Sequence, residues 1–273
     1  MNQIPVVSII MSAYDGDKIN YIEECIQSII AQNFNDFEVV LINDGITKEE
    51  LRQYIESLKE IDPRIKIYEN EKNSGLAASM NNAISKAKGK YLARMDSDDI
   101  MLPDRLQKQV EYLEQHPEVD IVGSFYKEIN DSHEILNEVS LPIEHKKMIK
   151  SFPRRNPLAH VSVMMRQSFI QKSGLYPTHT ITDEDTLMWV NGAKNGAIMA
   201  NIPEYLLKVR VSDNFYKRRA GFKKALQDAK NRIRVIEELK LSRFNLIFVF
   251  LRFVFQINPF TTLTYLGYKY LRK

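Results

Sequence analysis

The chain has 273 residues, 44% apolar and 27% charged, the proportions of an ordinary globular protein long enough to bury a full core. A single cysteine excludes a disulfide framework, and the amino terminus lacks the basic, apolar and cleavage regions of a signal peptide, so a reducing cytoplasm is the expected setting. The net charge of +3 hides an asymmetry: residues 206–273 carry 16 Lys and Arg against 4 Asp and Glu, while the rest carries 22 against 31. A basic, apolar tail is attracted to an anionic membrane surface at least as readily as to nucleic acid, and no RNA-recognition or helix-turn-helix signature accompanies it.

Short β-rich runs at Val6–Met11, Phe37–Ile42, Ile65–Tyr68, Tyr91–Met95 and Ile121–Phe125 alternate with helical patterns at about 18–32, 48–60, 75–87 and 104–115. Cys25 falls with Ile22, Ile26 and Ile29 on the apolar face of the first helix and reads as a core thiol. Alternation of this kind predicts an α/β fold with a mostly parallel, doubly wound sheet. Beyond residue 130 the pattern loosens around Pro142, Pro153 and Pro157. A strand is expected at Val161–Met165, a helix at Asp183–Lys194, an edge strand at Tyr205–Val211 and a basic helix at about 220–240. The segment Phe244–Phe260 is apolar on every face but too short to span a bilayer, and Arg252 interrupts it.

The most informative stretch is Asp96-Ser97-Asp98-Asp99, three carboxylates in four residues directly after the fourth strand. The C-terminal ends of parallel strands are where open α/β sheets bind ligands. Oxygen-only donors suit Mg²⁺ or Mn²⁺ shared with a substrate diphosphate. An acidic turn capping the following helix is the plainer alternative for an isolated motif. Asn43-Asp44-Gly45 closes the second strand and Ser12-Ala13-Tyr14 the first, so three strand ends converge on one crevice.

With the runs Val7–Tyr14 and Phe37–Gly45, Asn73-Ser74-Gly75-Leu76, the Asp96–Asp99 motif, Pro103-Asp104-Arg105-Leu106 and Glu184-Asp185 in this order, the chain resembles family 2 glycosyltransferases of the GT-A fold over roughly residues 5–210. The resemblance implies that Ala13, Tyr14 and Asp44 line the nucleoside pocket and that Asp96 meets the ribose or diphosphate. It implies that Asp98 holds the metal with Asp99 supporting or sharing it, and that Asp185 is the general base. Against Asp185 stands the ordinary role of first-turn acids, complementing the helix dipole. Arg94, Arg105 and the run Lys217-Arg218-Arg219 are candidates for diphosphate oxygens or members of a solvated basic face, and His160 for orienting a phosphate or hydroxyl. Ser12 and Ile46-Thr47 depart from the family pattern and blur the nucleobase contacts. The Gln-x-x-Arg-Trp motif of processive synthases is absent, which favours transfer of a single residue.

The sequence therefore predicts a transferase domain over 1–215 and a helical extension over 216–273. The expected reaction is inverting transfer of one hexose-type sugar, with Mn²⁺ or Mg²⁺, from a UDP-sugar to a lipid-linked oligosaccharide in bacterial surface-polysaccharide assembly. The expected place is the inner face of the plasma membrane. A sugar-phosphate nucleotidyltransferase and a catalytically silent sugar-nucleotide binder or scaffold are the alternatives. The absence of an early Gly-rich phosphate loop counts against the first, and retention of Asp96, Asp98 and Asp185 against the second.

Overall fold

The computed structural model describes residues 4–180, 182–211 and 221–257. Its central sheet is built from β1 (Val7–Ala13), β2 (Phe37–Asp44), β3 (Ile65–Asn70), β4 (Tyr91–Arg94), β5 (Ile100–Met101), β6 (Ile121–Ile129), β7 (Ile135–Val139), β8 (Met164–Arg166) and β9 (Met199–Arg210). The spatial order is β3-β2-β1-β4-β8-β6-β9-β5, with β7 pairing off β6. The β3-β2-β1-β4 half is parallel, Val7 standing opposite Phe37 on one side and Tyr91 on the other. The antiparallel β8 then links β4 to β6.

The parallel half follows from composition. Strands covered on both faces by crossover helices read as near-continuous apolar runs, and β2 is buried along its whole length, Glu38 within it paired with Lys66 and Ser8. Alternate residues of β1 enter two cores, as the two-residue period of a strand dictates. Val7, Ile9 and Met11 meet α1 (Ile19–Ile30), α2 (Glu49–Ile61) and α4 (Arg105–Gln115). On the opposite face Ile10 joins α3 (Leu76–Lys86), α5 (His145–Ser151), α6 (Gln167–Ser173), α7 (Glu184–Lys194) and Val235 of α8 (Phe222–Glu238). The last described helix is α9 (Leu246–Ile257). Cys25 is buried as expected, and its thiol donates to the Asp96 carbonyl at 3.3 Å.

Three expectations are corrected. The strand expected at Val161–Met165 is a 3-10 turn at His160–Ser162 followed by the short β8. The strand expected at Tyr205–Val211 begins six residues earlier, at Met199, and is not an edge, because β6 and β5 flank it. Pro203 is accommodated where the β6–β9 register slips between Ser124 and Phe125, a strand irregularity of the kind that tolerates a residue with no N–H to donate. Arg105 is neither a cleft residue nor a solvated one: it is wholly buried, donating to the Arg94 carbonyl at 2.8 Å and to Gln109 Oε1 at 3.0 Å. The 217–219 basic run, the boundary at 215/216, and Phe260, Tyr265, Tyr268 and Tyr270 of the tail all lie outside the described residues.

Candidate active site

The C-terminal ends of β1, β2 and β4 open into a cleft of about 810 Å³ whose far wall is formed by α7, α8 and α9. Ser12 and Tyr14 line it from the end of β1, while Ala13 between them is wholly buried in the core. Only the residues flanking Ala13 present side chains there. Tyr14 remains 45% exposed at the mouth of the first strand.

Asp44 lines the cleft too, but both of its oxygens are engaged. Oδ1 accepts from the Asn70 side chain and the Ser74 N–H, both at 2.8 Å, and Oδ2 from the Gly75 N–H at 3.0 Å. Asp44 thus ties the end of β2 to the turn that opens α3. Gly45 makes that closure possible: its φ is +66°, and a Cβ there would sit 2.3 Å from the Asn73 nitrogen.

Asp96, Asp98 and Asp99 bring one carboxylate oxygen each to within 4.8 Å of one another. Asp96 is ion-paired with the Arg94 guanidinium. Asp99 is buried and accepts the Arg210 N–H at 2.8 Å. Burial, followed by the neighbouring Asp96 charge, pushes the Asp98 carboxyl up to about 6, and burial with Asp98 and Asp96 drives Asp99 well above the usual carboxylate range. A fourth acid escaped the sequence reading. Asp17 accepts the Tyr14 N–H at 3.1 Å and the Ser97 hydroxyl at 2.9 Å, and burial with the charges of Asp98 and Asp96 raises it to about 6. Its one signal was the Asp15-Gly16-Asp17 step directly after β1. Hard oxygen donors crowded this closely suit a divalent cation, and Mn²⁺ or Mg²⁺ matches the donor set.

Two arginines flank these acids with unused donors. Arg94 is 2% exposed and its Nε and Nη1 find no hydrogen-bond partner; Arg210 donates from Nε to the Asp98 carbonyl at 3.1 Å and from Nη2 to Glu24, leaving Nη1 buried and unsatisfied. Both line the cleft. Buried guanidinium donors without acceptors are costly unless a ligand supplies oxygens.

Across the cleft, α7 presents Asp185 in its first turn. The Asn156 amide donates to Oδ2 at 2.7 Å and the Thr186 N–H to Oδ1 at 2.6 Å, so the carboxylate is held from both sides. Burial, then the charges of Glu184 and Asp183, pushes Asp185 up to about 7, a value suited to accepting a proton near neutrality. Behind it Trp189 is fully buried against Phe169, His160 and Tyr176, packing α7 onto the core. His160 Nε2 lies 2.9 Å from the Tyr176 hydroxyl, and burial, with Arg94 adding to it, holds the imidazole well below its ordinary pKa and hence neutral.

The remaining wall was not legible from sequence. Lys224, Asp228 and Arg232 of α8 and Arg252 and Gln256 of α9 all reach the cleft. Asp228 is buried, yet Arg232 and Arg252 beside it overcome the burial and keep its carboxyl below the usual range. Arg232 also donates to the Phe152 carbonyl at 2.8 Å, fastening the helical pair to the end of α5.

Similarity to known proteins agrees with this geometry. The chain is 32% identical over 215 residues to the amylovoran biosynthesis glycosyltransferase AmsE of Erwinia amylovora, covering 79% of this chain and 80% of the relative. It is 28% identical over 226 residues to the UDP-Gal:alpha-D-GlcNAc-diphosphoundecaprenol beta-1,3-galactosyltransferase of Escherichia coli, covering 83% and 82%. In structure it is similar to the mannosyltransferase PcManGT from Pyrobaculum calidifontis in complex with GDP-Man and Mn²⁺, with a TM-score of 0.65, 17% identity, and coverage of 98% of this chain and 80% of that one. The family model described as glycosyl transferase family 2 matches residues 8–174. With those matches and acids at the strand ends of a mostly parallel sheet, the chain belongs to glycosyl transferase family 2 and has the GT-A fold.

Proposed function

We propose that this glycosyltransferase moves one hexose-type sugar from a UDP-sugar to a hydroxyl of a lipid-linked oligosaccharide, with inversion and with Mn²⁺ or Mg²⁺. The observation that carries the reading is one cleft with the Asp96–Asp99 acids on one side and Asp185, raised to about 7, among the residues lining it opposite. The relative named for UDP-Gal and a diphosphoundecaprenol-linked sugar supports the donor and acceptor classes, and the neighbour bound to Mn²⁺ supports the metal. Membership of the family sets the nucleotidyltransferase alternative aside.

In this reading Asp98 and Asp99 hold the cation, Asp96 and Arg94 meet the ribose or diphosphate, and Ser12, Tyr14 and the backbone at Ala13 surround the nucleoside beside Asp44. A bound divalent cation neutralises the charge that develops on the leaving diphosphate. Asp185 takes the proton of the acceptor hydroxyl as its oxygen bonds to the anomeric carbon. The bond from that carbon to the diphosphate oxygen breaks, and its electron pair leaves with UDP. A single displacement inverts the centre. Residues 216–273 would form the module that carries the acceptor side and holds the enzyme peripherally on the inner face of the plasma membrane. A donor screen reporting nucleoside diphosphate release with Mn²⁺ and with EDTA tests the proposal. Release from a UDP-sugar that depends on metal is expected; binding of every donor without any turnover, even with lipid-linked acceptor present, would favour the silent binder.

A further inference from the structure

Helix α9 is inverted relative to an ordinary surface helix. Its inward face carries the polar groups: Arg252 donates to Asp228 Oδ2 at 2.8 Å, and Gln256, which lines the cleft, is 4% exposed with its Oε1 lacking a hydrogen-bond partner. The outward face is apolar. Leu246, Ile247, Phe250, Leu251, Val254 and Ile257 are all exposed along it, Phe250 at 65% and Ile247 at 50%. Phe244, just before the helix, is 83% exposed. An apolar stripe this continuous on a surface calls for a partner.

The surroundings select which partner. Residues 221–257 hold eight Lys and Arg against three Asp and Glu. Asp228 is consumed by Arg232 and Arg252 and Glu238 is paired with Arg234, which leaves Lys223, Lys230, Lys240 and Arg243 exposed on α8 and on the turn leading into α9, against the one exposed acid Glu237. A second copy of the chain would bring the same positive charge to the contact and be repelled, whereas anionic lipid headgroups complement it. The helix has 12 residues, about 18 Å at 1.5 Å per residue, against a hydrocarbon core of about 30 Å. It cannot cross, but it can lie in the interface.

We propose that α9 is an in-plane bilayer-binding helix whose outward face enters the lipid while its inward face walls the cleft, so that the cleft opens at the membrane surface. Apolar side chains enter the acyl boundary, the flanking cations meet anionic headgroups, and Arg252 and Gln256 stay on the protein side. The acceptor class rests on the transferase reading, which makes the acceptor an amphiphile taken from that surface. The lipid contact itself does not depend on it.

The test uses the full chain and needs no turnover. Trp189 is the sole tryptophan and is fully buried, so Ile247→Trp, Phe250→Trp and Val254→Trp each add one reporter on the outward face. With vesicles of phosphatidylglycerol and phosphatidylethanolamine, all three are expected to blue-shift and to be quenched by brominated acyl chains to equal depth. A graded depth along the helix would overturn the in-plane placement, and no quenching would overturn the lipid contact. The triple variant Ile247→Ser, Phe250→Ser, Val254→Ser is expected to float with these vesicles about tenfold less than wild type while keeping its thermal midpoint and UDP affinity. If wild type is instead a dimer in gel filtration without lipid and the triple variant a monomer, the face belongs to a second copy and the proposal fails. The tryptophan series stands even if the triple variant does not fold.

Discussion

Asp99 and Arg210, 111 residues apart, are joined by a hydrogen bond from the Arg210 N–H to Asp99 Oδ1 at 2.8 Å, which anchors the end of β9 on the acid motif. The bond needs an oxygen and not a charge. Asp99→Asn is therefore expected to keep the fold, with a thermal midpoint without metal equal to or above that of wild type, because one of three crowded acids has been neutralised. Removing the acceptor altogether in Asp99→Ala leaves the Arg210 N–H buried and is expected to cost about 1–3 kcal/mol in urea unfolding. Equal destabilisation by both substitutions would contradict this division.

Metal should reverse the cost of crowding. The folded-state value of Asp98, about 6, lies above its ordinary 3.8, so its favourable contribution is complete below about pH 4 and is lost as pH rises through about 6. The metal-free protein should accordingly lose stability from this source between pH 4 and pH 7. Mn²⁺ at pH 7.5 is expected to raise the thermal midpoint of wild type and to leave Asp98→Asn nearly unmoved. A similar rise in both proteins would place the ion elsewhere.

Asp185 should set the acid limb of the rate profile. Its carboxyl must be ionised to accept a proton, so kcat should rise with pH through about 7 and level off above it. Asp185→Asn is expected to lower kcat by about 10²–10⁴-fold and to remove that limb while UDP affinity stays unchanged. Arg94 is among the groups that lower the Asp185 value, so Arg94→Met should move the limb to higher pH as well as weaken donor binding. A fall in UDP affinity in Asp185→Asn would put that residue on the donor side.

Gly45→Ala tests the turn behind Asp44. At φ +66°, with the Lys72 and Asn73 backbone within 2.4 Å of any added Cβ, the substitution is expected to cost about 1–3 kcal/mol from backbone strain alone. The urea midpoint should fall and donor KM should rise together, since the Ser74 and Gly75 N–H groups lose their register on Asp44. An unchanged midpoint would show that the turn can relax.

The strand-end side of the cleft was legible because its signals are local. Buried parallel strands read as near-continuous apolar runs, so β1, β2 and β4 announce themselves, and the acids at the ends of β2 and β4 fall at the sheet edge where ligands bind. Asp185 was legible from its motif and its place at a helix start. The wall built by α8 and α9 depends on contacts that no short window contains. Asp228, Arg232 and Arg252 read singly as parts of a basic helix and an apolar one, and only the packing of α8 against α9 turns them toward the cleft. Pro203 concealed the first half of β9, because a proline ordinarily ends a central strand, and the bulge that admits it, with Pro203 and Glu204 unpaired between Ile202 and Tyr205, shows only in the pairing with β6. Strand β5 has two residues, too few for any period to show.

The most direct measurement is anomalous diffraction from a crystal grown with Mn²⁺ and UDP. One manganese peak is expected at Asp98 and Asp99, beside the UDP diphosphate, with the base lying against the first-strand end at Tyr14. Ordered UDP in the cleft with no manganese at the Asp96–Asp99 acids, or manganese there with the diphosphate bound elsewhere, would contradict it.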